Sequence, residues 1–347
     1  MKNNDIPVMC IPSKQVLIRL ALAVSALTLC VAVPACFGTD RNSAGPPEKV
    51  TIAYATPPYT LLADIAQARG YFRQEGLEVK PLFHSTGKAA LDDVLQGKAE
   101  FATVADTPVM FAVMRGAPIA IIATIQTSNK TNAIFARKDR GILTPGDLKK
   151  KRIGVTYGGI GEFFTDTFLA AHGIAGGDAR LIDMKPEEMS EALANGDVDA
   201  ISAWPPYLNQ AQKKLAGRGI MFYDEDIYTQ TFNVAASREF IRNNPGAVRK
   251  VLRGLIRAEE FFGQNPAEAL RSVAGFRKMD EALVGEISAG NAFSVTLDQL
   301  LLLALEDESR WAIRHGLTRR TEVPNYLDLL YLDGLASIRP KAVNILR

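Results

Sequence analysis

Two kinds of apolar pattern alternate along this chain. Short apolar-rich runs at 50–55 (VTIAYA), 77–82 (LEVKPL) and 101–105 (FATVA) are separated by amphipathic stretches at 61–69 and from 89 to Gly97. Apolar runs of four to eight residues bounded by turn residues read as strands buried on both faces, and apolar positions three or four apart read as helices. The same series then recurs. Strands are predicted at 152–156 (RIGVT), 179–184 and 200–203, with a helix at 162–171 that stops at Gly173. Each half is therefore strand–helix–strand–helix–strand, the pattern of a parallel sheet with helices across its faces.

The recurrence is clearest between residues 91–108 (LDDVLQGKAEFATVADTP) and 190–207 (SEALANGDVDAISAWPPY). Gly97 aligns with Gly196, Glu100 with Asp199, Thr103 with Ser202 and Asp106 with Pro205. In both copies a helix ends at a glycine, the residue that best accepts the left-handed conformation of a helix stop. An acidic residue, an apolar strand and a loop follow. Two copies of an α/β unit, each too long for a solenoid repeat, predict two lobes facing each other across a cleft. In open α/β sheets, ligands bind at the loops beyond the carboxyl ends of the strands.

The remaining pattern joins and extends these lobes. Residues 118–127 (PIAIIATIQT) form a very apolar strand, and 132–137 (NAIFAR) reads as an extended crossover into the second lobe. Thr144-Pro145-Gly146-Asp147-Leu148 starts a short helix that ends in the basic run 149–152, a solvated face. Residues 231–235 (TFNVA) form the second crossover, returning to lobe one. Helices follow at 237–243, 245–265, 266–274, 297–315 and 325–338, expected to wrap around lobe one. The division is lobe one at 50–135, lobe two at 136–232, and the return strand and C-terminal helices of lobe one at 233–347.

Composition narrows the class. With 347 residues and a net charge of +2, the chain is long enough for two cores and lacks the basic stripe of a nucleic-acid binder. Its three cysteines, Cys10, Cys30 and Cys36, all precede the folded region, so no disulfide, thiolate metal site or cysteine nucleophile is expected there. Lys14 and Arg19 precede an apolar run at 20–35, a signal-peptide pattern too short for a confident membrane span. It ends Val33-Pro34-Ala35-Cys36, which resembles a bacterial lipobox. Residues 1–36 are read as a signal peptide with Cys36 as the lipidation site, plain cleavage after Ala35 and an uncleaved anchor being the other readings. Residues 37–49 form a flexible tether, and translation starts at Met1 or Met9.

Candidate binding residues lie in the strand-end loops. Thr56-Pro57-Pro58-Tyr59 is a stiff loop carrying Thr56, Pro57 and Tyr59. Ser85, Thr86 and Gly87 precede a helix that Thr86 caps, and the free N–H groups of a helix start attract anions. Asp106 and Thr107 open the next helix, with Asp106 as its N-cap, and Gln126 ends the apolar strand toward the cleft. Tyr157-Gly158-Gly159-Ile160-Gly161-Glu162 is glycine-rich but lacks the dinucleotide spacing. It is read as a small-ligand loop through Tyr157, Gly159, Gly161 and Glu162. Trp204, held by two prolines, offers a stiff apolar wall with one N–H, and Asn233 sits where it can reach the cleft.

These residues resemble a known family. The stretches 68–79 (ARGYFRQEGLEV), 95–101, 148–163, 193–207, 237–270 and 323–335 look like bacterial extracytoplasmic substrate-binding proteins of ABC importers. The nearest group is the nitrate/sulfonate/taurine and thiamine-pyrimidine-precursor binders. The resemblance implies an α/β, two-lobed periplasmic-binding-protein-like (type II) fold with two crossovers and a C-terminal helical extension. It implies capture of a small organic or anionic solute by hinge closure and delivery to a membrane permease, with no catalysis, no cofactor and no metal. The protein is then a monomer in the periplasm or at the cell surface, tethered by lipid. A ligand-presenting sensor and a thiamine-pyrimidine-synthase-like enzyme are the alternatives. No arginine lies in the ligand loops to clamp a sulfonate or nitrate.

Overall fold

The structure, a computed structural model, describes residues 46–56 and 58–346. The signal peptide with Cys36, most of the tether, and Pro57 lie outside the described residues.

The first lobe is built from β1 (Glu48–Tyr54), α1 (Leu61–Ala68), α2 (Tyr71–Gln74), β2 (Leu77–Phe83), α3 (Gly87–Leu95), β3 (Phe101–Ala105), α4 (Asp106–Met114) and β4 (Ile119–Ser128). The second contains β5 (Ala133–Arg137), β6 (Arg152–Val155), α5 (Ile160–Ala171), β7 (Arg180–Asp183), α6 (Pro186–Asn195), β8 (Ala200–Ala203), α7 (Tyr207–Leu215) and β9 (Gly219–Phe222). The chain returns to the first sheet with β10 (Gln230–Ser237).

Each sheet has five strands. Their orders are β2-β1-β3-β10-β4 and β7-β6-β8-β5-β9. The two orders superimpose position by position once β10 is matched with β5. In each sheet one strand arriving from the other lobe lies antiparallel to both its neighbours. β3 and β8 are buried along their whole length, which explains their unbroken apolar sequence.

The repeated acidic residue has one job in both lobes. The Glu100 carboxylate accepts the Thr51 N–H at 2.6 Å, while the Glu100 N–H donates to the Thr51 carbonyl at 3.0 Å. Asp199 treats Arg152 identically, at 3.0 and 2.8 Å. The acid pins the entry of the third strand to the start of the first. The preceding glycines, Gly97 and Gly196, have φ of 69° and 86°, so each holds the left-handed turn that brings the acid round.

Several boundaries differ from expectation. Sheet membership moves both crossovers: β5 is part of the second sheet from Ala133 and β10 of the first from Gln230. The links between lobes are therefore 129–132 and 223–229, not 132–137 and 231–235. Both links meet, Lys130 pairing with Glu225 at 3.0 Å. Arg152 opens β6 as the strand pattern predicted, and its side chain, counted in the basic run as solvated, forms an ion pair with Asp199 at 2.8 Å.

The C-terminal helices are α8 (Arg238–Asn243), α9 (Pro245–Gln264), α10 (Pro266–Arg277), α11 (Glu281–Ser288), α12 (Gln299–Arg314) and α13 (Leu332–Ala336). The helix α11 has no counterpart in the sequence reading. The single helix expected over 325–338 is instead a 3₁₀ turn, Tyr326–Leu329, followed by α13. These segments close the exposed edge of β4. Tyr331 donates to the Ile121 carbonyl at 2.9 Å, Thr124 to the Thr296 carbonyl at 2.8 Å, and Ala292 to the Thr127 carbonyl at 2.9 Å. An unpaired apolar edge is an invitation to aggregate, and the extension removes it.

Candidate functional site

Two helix N-termini from opposite lobes define the site. Thr86 caps α3 by accepting the Ala89 N–H at 3.2 Å. The Gly87 and Lys88 amides ahead of it have no intrahelical acceptor. Gly159 is the N-cap of α5, whose first residue is Ile160. Thr86, Gly87, Lys88, Gly159 and Ile160 line one cavity of about 40 Å³. Its walls are apolar: Tyr59 stacks on Phe232 with ring centroids 5.2 Å apart, and Trp204 lines it from the second lobe. The positive ends of two helices thus face an aromatic chamber, a setting for an anionic group on an apolar body.

The lobes touch around this chamber. The Tyr59 hydroxyl reaches the Pro205 carbonyl and the Tyr207 hydroxyl reaches the Ser85 carbonyl, each at 3.4 Å. Farther out, Asp166 of α5 accepts from Trp311 Nε1 at 2.8 Å and meets His315 Nδ1 at 3.0 Å. A water needs about 10–15 Å³ of such space, so the chamber as closed admits a few water-sized groups. A larger mouth of about 820 Å³ continues outward past Ser85, Thr86, Lys88 and Thr156 to Tyr157, Asp183 and Lys185.

Seven predicted residues meet at the chamber: Thr56, Tyr59, Ser85, Thr86, Gly87, Gly159 and Trp204. Tyr157 lies at the mouth, 40 % exposed, its N–H donating to Asp183 at 3.0 Å. Glu162 stands behind the glycine loop and accepts the Gly158 N–H at 2.8 Å; burial pushes its pKa up. Gly161 lies under the Trp204 ring, where an added Cβ would sit 3.6 Å from it.

Neither Gly161 nor Glu162 lines the cavity, and four further predicted residues, Asp106, Thr107, Gln126 and Asn233, lie outside it in the first lobe. Asp106 is fully buried as the first residue of α4, and Ala105 occupies the N-cap position. Its carboxylate accepts from the Tyr228 hydroxyl at 2.5 Å, from the Thr231 N–H at 2.8 Å and from the Thr231 hydroxyl at 3.0 Å. Thr107 donates to Glu308 at 2.5 Å. Gln126 donates to Asn291 at 2.7 Å, and Asn233 accepts from Thr124 at 2.7 Å. All four are tied into the first lobe. Burial is the main force raising Asp106, and burial followed by the charge of Asp106 raises Glu308 well above the carboxylate range. The second oxygen of Glu308 has no partner among the described residues.

The sequence reading missed Lys88 as a lining residue, together with Gln230 and Phe232. In β10 the even positions Gln230 and Phe232 face the chamber while Asn233 faces its own lobe. Both faces of β10 are buried, so polarity along the strand does not distinguish them.

Two α/β lobes that close on a chamber between opposed helix N-termini, linked by two crossovers, make this a periplasmic-binding-protein-like fold. The chain belongs to the NMT1/THI5-like family, matching it over residues 59–269. It is 24% identical over 236 residues to the taurine-binding periplasmic protein of Escherichia coli, covering 66% of this chain and 71% of that one. It is 27% identical over 256 residues to the riboflavin-binding protein RibY of Chloroflexus aurantiacus, covering 70% and 69%. The fold matches the alkanesulfonate-binding protein SsuA of Xanthomonas axonopodis pv. citri with a TM-score of 0.72, at 19% identity over 83% of this chain and 99% of that one. A desulfurization enzyme, DSZB, shares the fold more distantly, with a TM-score of 0.56 at 16% identity over 84% of this chain and all of that one (100%).

Proposed function

We propose that this protein is the extracytoplasmic substrate-binding component of an ABC importer. It captures a small organic anion between its lobes and presents the closed form to a membrane permease. The observation that carries this reading is the convergence of the α3 and α5 N-termini, with Lys88, on a chamber walled by Tyr59, Phe232 and Trp204. The helix ends and the ammonium favour an anionic group, and the rings favour an apolar remainder. Because these groups belong to both lobes, a bound ligand gains the second lobe's contacts only on closure, which shifts an open population toward closed.

A binding role is supported by the lining itself. Its polar groups, Thr56, Ser85, Thr86, Lys88 and the two helix ends, are hydrogen-bond donors suited to holding an anion. The binding relatives support the same reading. In this reading the chain is exported, acts as a monomer at the periplasmic or outer cell surface, and is held there by lipid on Cys36.

A thermal-shift screen of the full-length protein with taurine, MOPS, nitrate and riboflavin tests the reading. A ligand at a hundred times its dissociation constant raises stability by about 2.7 kcal/mol. Stabilisation by the sulfonates, and none by the neutral flavin ring system, is the expected result. No shift with any anion at millimolar concentration would overturn the anion assignment.

A further inference from the structure

We infer that Arg277, at the end of α10 in the C-terminal extension, is the positioning residue for the ligand-facing loop 55–60, acting through Asp64 and Thr60. The inference rests on the binding role proposed above, since that loop carries Ala55, Thr56 and Tyr59 into the chamber.

Arg277 is an unusual cation for a helical extension: its side chain is 7% exposed, and its partner Asp64 is fully buried. Nε stands 2.9 Å from Asp64 Oδ1 as an ion pair, neither atom making an aligned hydrogen bond. Nη2 donates to the Ala55 carbonyl at 2.5 Å and to the Thr60 hydroxyl at 3.1 Å. Thr60 in turn donates to the other Asp64 oxygen at 2.5 Å. The guanidinium lies 4.5 Å from the Phe83 ring centroid and 5.4 Å from that of Tyr54. One planar group therefore grips both ends of the loop, the carbonyl of Ala55 and the hydroxyl of Thr60. A lysine has the charge on one nitrogen only, so it cannot place a donor on the loop and a second nitrogen beside Asp64 at the same time.

The geometry has a functional sense. Tyr59 stacks on Phe232 and its hydroxyl reaches Pro205 of the second lobe, so the loop meets both the chamber wall and the opposite lobe. Ala55 also donates its N–H to Thr103 at 2.8 Å and Thr56 its hydroxyl to the Ser85 carbonyl at 3.1 Å, so the near end of the loop is tied to the sheet while Arg277 bonds both ends. The grip comes from a helix more than two hundred positions later in the chain. Burying the ion pair in a layer of rings excludes water and keeps the fork in one orientation.

Hydrogen–deuterium exchange of the full-length protein tests the inference without any ligand. In Arg277→Gln, exchange over the segment 56–66 is expected to rise by about tenfold, while residues 160–171 in the other lobe keep wild-type protection. Arg277→Lys, which retains the charge, is expected to fold and to give about threefold in the same segment only. Asp64→Asn combined with Arg277→Gln is expected to add less than the two single changes together. Wild-type exchange at 56–66 in Arg277→Lys, or a rise equal in both lobes, would overturn the inference. A second arm uses taurine as probe: its dissociation constant is expected to rise about tenfold in Arg277→Lys. If the wild type does not bind taurine, the ligand assignment is what has failed, and the exchange data still decide the role of Arg277.

Discussion

The Tyr228 hydroxyl donates to the Asp106 carboxylate at 2.5 Å, joining the second link between the lobes to the first turn of α4. Tyr228 also packs edge-on against Phe163 of α5, with centroids 5.1 Å apart. One side chain in the 223–229 link thus touches both lobes. The Asp106 carboxylate, read from sequence as an N-cap and a candidate ligand group, is held by Tyr228 and Thr231.

Glu308 stands beside this junction, and its neutral isostere tests what the buried charge does. Its ordinary value is 4.5, and burial raises it far above that in the folded protein. The folded state then holds a proton that the unfolded state releases, so this group's contribution to stability falls as pH rises above 4.5. Glu308→Gln removes that dependence while keeping an oxygen for Thr107. Its stability advantage over wild type is expected to grow steadily as pH rises from about 4.5 to about 8. Urea titrations across that pH range check this, and a constant difference would refute it.

Trp204 tests the chamber wall. It is 8% exposed and meets Tyr207 edge-on at 5.9 Å. Trp204→Ala is expected to lower the melting temperature, since truncating a buried aromatic costs about 3–5 kcal/mol. Calorimetry on the folded variant is expected to show taurine affinity reduced more than tenfold, or about 1.4 kcal/mol. Unchanged affinity would remove Trp204 from the site.

Lys88 tests the charge assignment. A Cβ added at Gly158 would meet its ammonium at 3.1 Å, so the side chain reaches the opposite lobe. Lys88→Gln is expected to weaken anion binding by about three- to tenfold, with a shallower dependence on salt, because the side chain is exposed and screened. Titrations at two ionic strengths separate this from a steric effect, which would leave the salt dependence unaltered.

Gly87 tests the approach of α3 to its sheet. An added Cβ would lie 2.9 Å from the Val104 Cα and 3.2 Å from the Ala105 nitrogen. Both are backbone atoms and cannot rotate away. Gly87→Ala is expected to lose about 1–3 kcal/mol, read as a shift in the denaturation midpoint without a change in slope.

The sequence by itself determined the strand-helix series of both lobes, the start of α3 at Thr86 and the glycine–acid turn before β3 and β8. These are local properties: hydrophobic period, capping chemistry and a residue that tolerates positive φ. They also located the loops that form the chamber, because strand ends in a parallel sheet are set by the order of elements. Only the tertiary structure decided which face of β10 lines the cavity, since burial on both sides leaves no polarity difference to read. It also decided that Asp106 is satisfied by Thr231 and by Tyr228 of the inter-lobe link and that Arg277 grips a loop from the far end of the chain. Such pairings depend on which distant segments pack together, and nothing in the spacing of charges along a sequence encodes that.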